Sequence, residues 1–225
     1  TLFFVGHSGA VTVVNALETE DPVGARRSLY PNEWGIAHPA GLAYAPQFGY
    51  FFLLDKARNN PAVTTLVTLT PYEQQVERVE LTFRVGNALN MTYDAQGRRL
   101  LLLNQTQTEI AQVSLDEQGH LQPATLRSSS LAQLQLRNVQ GMAVDPVNQR
   151  LLFLEKAKRR LVSLPLNAAL DLPATAASFI DLTALGAAAL RGVAVHPLTQ
   201  QIFIGNPAQH ALYVIDQSGA LVHQY

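Results

Sequence analysis

The stretch Gly192–Tyr225, GVAVHPLTQQIFIGNPAQHALYVIDQSGALVHQY, decides the fold. It contains three or four short apolar runs separated by turn residues. Runs of that length, rich in β-branched residues and punctuated by glycine, proline and polar turns, read as strands joined by hairpins. Earlier copies of the pattern can be laid under it across nearly the whole chain.

The register of the copies is tight. Gly41, Asn90, Gly141 and Gly192 are equivalent, at spacings of 49, 51 and 51 residues. Ala45, Asp94, Asp145 and His196 repeat those spacings. At the end of the second strand, His7, Asp55, Asn104, Glu155 and Asn206 form a third column, spaced 48, 49, 51 and 51. A repeat of this size built from four short strands marks a β-propeller blade. The expected fold is therefore all-β, a β-propeller of four-stranded antiparallel blades in one domain, 1–225. Five blade units are expected, at about 1–39, 40–87, 88–138, 139–190 and 191–225, the first lacking its innermost strand.

The first unit starts at a second strand, Leu2–Val5, followed by the turn Gly6-His7-Ser8-Gly9 and Val11–Val14. Residues 15–35 are loop-like, with one strand near Arg26–Leu29. The strand that should precede Leu2 is missing. Either five blades close the ring with further residues, or the chain is part of a larger propeller, because an open ring leaves apolar blade faces in water. Val76–Arg84 alternates apolar and polar residues, as a half-exposed strand does. Ser130–Leu136 and the Ala-rich Thr183–Leu190 lie between blades and have helical character.

The chain has 225 residues, 48% of them hydrophobic and 15% charged, which supports a sizeable core. Its formal charge is −1, so no global field steers it to nucleic acid or an anionic membrane. Cysteine is absent, which excludes a disulfide framework and thiolate chemistry. No apolar run reaches the ~18 residues of a membrane span. The start, TLFFVGHSGA, has no basic segment before its apolar run and reads as a mature or trimmed N-terminus. Together with the lack of cysteine, it points to a periplasmic or extracellular protein.

The phrase Gly-x-Ala-Val-Asp/His-Pro, a polar turn, an aliphatic strand, a polar residue and a strand ending near Asp-x-x-Gly resembles NHL-type and related six-bladed propeller repeats. GMAVDPVNQRLLFLEKAKRRLVSLPLN and GVAVHPLTQQIFIGNPAQHALYVIDQSGALV match best. The resemblance covers about four fifths of the chain. It implies a fold and no single function, because such propellers are scaffolds, ligand binders and enzymes. The asparagine usual before the third strand is mostly missing here.

In propellers the loops joining second and third strands share a face with the connections between blades, and ligands sit there. The column His7, Asp55, Asn104, Glu155 and Asn206 falls on that face. Two carboxylates, an imidazole and two amides can hold a divalent cation or a polar ligand. Residues of these types also end strands by bonding the turn backbone. The same turn-forming role suits Asp94, Asp145 and His196. Trp34, the only tryptophan, lies in Tyr30–Pro39, where Tyr30, Trp34 and His38 can line a carbohydrate or peptide site, or Trp34 can fill a gap between blades.

Lys156, Lys158, Arg159 and Arg160 form the only basic run, with Arg84, Arg137 and Arg191 on the same face. A solvated hairpin turn is the plainer account. Asn90-Met91-Thr92 and Asn104-Gln105-Thr106 match the glycosylation pattern but lie within or beside strands. Gly6-His7-Ser8-Gly9 is not a nucleophile elbow: its second glycine comes one residue early and a strand follows.

These features point first to a non-enzymatic binding or scaffold module that engages a protein or glycan through its loop-rich face. The alternative is a calcium-dependent hydrolase of the lactonase or esterase-like propeller kind. Its ion would lie among Asp55, Asn104, Glu155 and Asn206, with His7 as base. Against it, Ala40-Gly41, Gln140-Gly141 and Arg191-Gly192 stand where gluconolactonase-like propellers carry an acidic residue. Nucleic-acid binding through the basic turn ranks third.

Overall fold

The computed structural model of the chain describes residues 2–5, 11–14, 26–56, 63–72, 74–83, 91–104, 106, 108–186 and 189–225. The chain divides into two compact units, Thr1–Arg84 and Val85–Tyr225.

In the first unit, β1 (Leu2–Val5), β2 (Val11–Val14) and β3 (Arg26–Leu29) form a three-stranded antiparallel sheet in the order β1-β2-β3. A 3-10 turn at Pro31–Trp34 leads to β4 (Pro39–Ala45), β5 (Tyr50–Lys56), β6 (Thr64–Leu69) and β7 (Gln75–Leu81), one four-stranded meander. Its core is Ile36, Phe51, Leu53, Val67 and Leu69, with Trp34, Leu42 and Tyr44 packed against them.

The second unit holds three such meanders. They are β8 (Met91–Asp94), β9 (Arg99–Leu103), β10 (Glu109–Leu115) and β11 (Leu121–Ser130); β12 (Val139–Asp145), β13 (Arg150–Glu155), β14 (Arg160–Pro165) and β15 (Ser178–Asp181); and β16 (Arg191–Val195), β17 (Ile202–Asn206), β18 (Ala211–Ile215) and β19 (Leu221–Gln224). Each sheet follows sequence order. The protein is all-β, a β-propeller of four-stranded antiparallel blades.

The blades number four, not five. Residues before β4 supply three strands, and among the described residues nothing pairs with the free edge of β1. The first blade unit, expected to lack its innermost strand, is the three-stranded sheet and does not make a complete blade. Among the described residues the helical character expected between blades is confined to single 3-10 turns, Ala132–Leu134 and Thr183–Leu185.

Strand periodicity explains the packing. Successive side chains of β13 point to opposite faces. Leu151 and Phe153 enter a core shared with Met142 of their own blade and Leu101, Leu103 and Ile110 of the preceding one. Leu152 and Leu154 enter the next core, with Ile202, Ile204, Tyr213 and Ile215. The second strands β9 and β13 are thus apolar on both faces and buried almost throughout. The outermost strand is wet: every residue of β19 is exposed.

The glycine column marks the tightest contact. Register shifts fall at Pro39/Gly41, Val139/Met142 and Arg191/Val193, so each of these first strands bulges at or just before its column glycine. A Cβ on Gly141 would stand 2.8 Å from the Val193 nitrogen and 3.0 Å from the Gly192 Cα. Gly192 itself has φ +70°, which a side chain resists. Gly141→Ala should therefore destabilise by about 1–3 kcal/mol, at ~2–4 °C of Tm per kcal/mol for a chain of this size. An unchanged Tm in a thermal melt would show that β12 and β16 can separate freely.

Candidate functional site

The polar column at the ends of the second strands is built from the turns it holds. Asp55, last but one in β5, is buried, and Oδ1 accepts the His38 N–H at 2.8 Å and Oδ2 the Ala37 N–H at 3.4 Å. Glu155, at the end of β13, is 0% exposed. Its Oε1 accepts the Arg137 N–H at 3.0 Å and pairs with Lys158 Nζ at 3.1 Å, while Oε2 accepts Arg160 Nε at 2.7 Å. Ala37 and Arg137 each lie four residues before the column glycine. In both blades a carboxylate ending the second strand reaches back to the loop that enters the first.

Asn104 closes its own hairpin instead. Its Oδ1 accepts the N–H groups of Thr108 and Glu109 at 3.0 and 3.1 Å. That commitment also ties down one of the two glycosylation-pattern asparagines. Asn206, 1% exposed, donates from Nδ2 to Gln209 Oε1 at 2.6 Å and to Tyr213 Oη at 3.4 Å, and its Oδ1 has no partner among the described residues. His7, Asn90 and Arg84 lie outside the described residues. Among the described residues no three His, Asp or Glu are grouped to hold a metal ion.

Trp34 is half-buried against the first-unit core, and its carbonyl accepts Arg78 Nη1 at 3.0 Å. Tyr30 is exposed. The basic turn is divided: Lys158 and Arg160 face Glu155, and the Arg160 guanidinium lies 4.0 Å from the Phe179 ring centroid.

The other end of the blades carries a device that column analysis assigned only to turns. Asp94 Oδ1 accepts the Gly97 N–H at 3.1 Å, Asp145 Oδ1 the Asn148 N–H at 3.2 Å, and His196 Nδ1 the Thr199 N–H at 3.0 Å, as turn residues should. Two of the three also pair with an arginine five residues on: Asp94 with Arg99 at 2.8 Å and Asp145 with Arg150 at 3.0 Å. Arg99 is 4% exposed. Besides Asp94 and Gln112, it donates to the Ala168 and Asn167 carbonyls of the next blade at 2.7 and 2.6 Å. It staples two blades beneath a cleft of about 280 Å³ walled by Val144, Pro146 and Leu166. The signal was present as a repeated Asp-x4-Arg at positions 94/99 and 145/150.

Burial pushes the Asp145 carboxyl up, but the Asn148 side chain and backbone N–H and the Arg150 guanidinium outweigh it and leave the group below its usual 3.8. For Tyr93, burial and the neighbouring Asp94 charge raise the phenol to about 12.

No protein-family model and no curated protein matches the chain. Solved β-propellers do. A chain of a nidogen/laminin complex aligns with TM-score 0.57 at 10% identity over 99% of this chain and 92% of its own length. A candidate 6-phosphogluconolactonase from Bacteroides uniformis gives 0.52 at 13%, over 96% and 63%. The Cps50 (Swd1) β-propeller domain from Myceliophteria thermophila gives 0.52 at 10%, over 94% and 64%. The chain thus spans less than two thirds of the latter two. At these identities the likeness is one of fold.

Two outcomes test the site chemistry. Arg99→Met leaves Asp94 buried without its cation and should cost about 3–5 kcal/mol in urea unfolding. Asp94→Asn in the same chain should recover part of that; equal losses would mean the ion pair is not the cause. The depressed Asp145 carboxyl contributes stability that is present above about pH 3.8 and lost as pH falls through its lower folded value. Asp145→Asn should flatten the acid limb of Tm against pH, and an identical limb would remove Asp145 from the acid transition.

Proposed function

We propose that this propeller is a non-catalytic, exported binding or scaffold module that engages a protein or glycan through its loop-rich face. The single observation that carries it is how that face is held. Asp55 and Glu155 clamp the loops entering their blades, and Asn104 closes a hairpin. Loops fixed by buried side chains are preorganised, so little conformational entropy is lost when a partner docks. The same bonds engage the carboxylates that a calcium-dependent hydrolase would need as ligands. No described helix is long and apolar enough to cross a membrane, which agrees with engagement from solution.

The calcium-dependent hydrolase reading keeps one observation in its favour, the unpartnered buried Asn206 Oδ1, an oxygen of the kind calcium takes. The two readings separate on one preparation. Binding to a glycan array or capture of a protein partner is expected, with no lactone or ester turnover and no calcium-dependent rise in Tm. Turnover with a calcium-dependent Tm and no partner would overturn the binding module.

A further inference from the structure

The hairpin between β13 and β14 concentrates positive charge. Lys156, Lys158, Arg159 and Arg160 lie on it, and Arg137, an exposed residue, has its backbone N–H on the same Glu155 that holds the turn. Within this cluster the carboxylates are Glu155 and Asp181. Five cations against two carboxylates leave a local excess of three positive charges on a chain of formal charge −1.

Glu155 takes up only part of the set. Lys158 and Arg160 pair with it. Among the described residues the Lys156 and Arg159 side chains make no ion pair. Arg159 stands in an exposed turn at φ +46°, its carbonyl accepting the Leu182 N–H at 2.9 Å. Its charge helps hold the Asp181 carboxyl below its usual value, after the larger effects of the Thr183 backbone and side-chain hydrogen bonds. Beside them lies Phe179, an aromatic 55% exposed on an outermost strand, with Arg160 stacked at 4.0 Å.

We infer that this patch, formed by Lys156, Arg159, Arg137 and the Arg160–Phe179 pair, docks an acidic peptide segment of a protein partner. The inference rests on the binding-module reading and names the partner's chemistry. Carboxylates are matched by the outward cations, arginine taking them in bidentate geometry. An apolar side chain between the carboxylates is matched by the open face of Phe179. A nucleic acid fits less well: its affinity comes from neutralising many phosphates along a track, and this patch spans one hairpin. A sulfated glycan would leave Phe179 without an apolar partner.

The test uses the whole chain and fluorescence anisotropy. The probe is a labelled twelve-residue peptide of alternating Glu and Asp with one central Leu. Its Gln/Asn counterpart, a twelve-nucleotide single strand and a heparin-type oligosaccharide complete the set. The acidic peptide should bind and its neutral counterpart should not. Lys156→Glu with Arg159→Glu should weaken binding about tenfold or more, and added salt should weaken it further. Neither residue pairs with Glu155, so Tm should hold; if it does not, Lys156→Gln with Arg159→Gln replaces the pair. Absence of peptide binding, equal binding by the variants, or tighter binding of the oligonucleotide or oligosaccharide would overturn the inference. None of these touches the binding-module reading, which fails only if turnover and a calcium response replace partner binding.

Discussion

Burial of the second strands on both faces is the constraint from which the rest of this structure follows. Leu151 and Phe153 leave β13 on one side, Leu152 and Leu154 on the other, and each pair enters a different core. A sheet apolar on both faces must be sandwiched, so the blade is stable only with neighbours on either side. Along β13 no polar side chain can be accommodated between Leu151 and Leu154. Polar groups are therefore driven to the strand ends, where Arg150 and Glu155 stand.

That displacement explains why charged residues recur at fixed positions. A carboxylate at a strand end is still largely desolvated, and it persists there only with partners. At one end Asp94 and Asp145 take a turn N–H and an arginine. At the other, Asp55 and Glu155 take the N–H groups of the loop entering their own blade. Glu155 adds Lys158 and Arg160 to its backbone donor, so both ends combine backbone N–H groups with a cation. A periodic acidic column in such a fold is first a record of where strands stop, and a ligand must compete with bonds already made.

The repeat was legible because it is a packing pattern. Column glycines fall where the first strands bulge, and Gly141 faces the Gly192–Val193 backbone too closely for a side chain. Alternation gave the outer strand β7, and the helical character expected between blades shrank to single 3-10 turns among the described residues. The first unit was legible as one without its innermost strand, and β1–β3 form a three-stranded sheet among the described residues; counting that unit as a fifth blade is what the structure corrects. Arg99 was not legible as a staple, because its acceptors are the carbonyls of Asn167 and Ala168, and any residue can supply a carbonyl. The column residue His7 lies outside the described residues.

Glu155 joins folding to recognition in one side chain. Its position at a strand end is imposed by the core, and its burial demands cations. A hairpin of four basic residues supplies more than one carboxylate can hold, since the geometry admits Lys158 three residues on and Arg160 five residues on. Lys156 and Arg159 alternate with these in sequence and make no ion pair among the described residues, Lys156 half-buried and Arg159 exposed. The excess charge therefore sits on a turn whose backbone is fixed from beneath by a fully buried group. Such a surface differs from a flexible basic tail: its cations are spaced by the hairpin, and a partner meets them already in place.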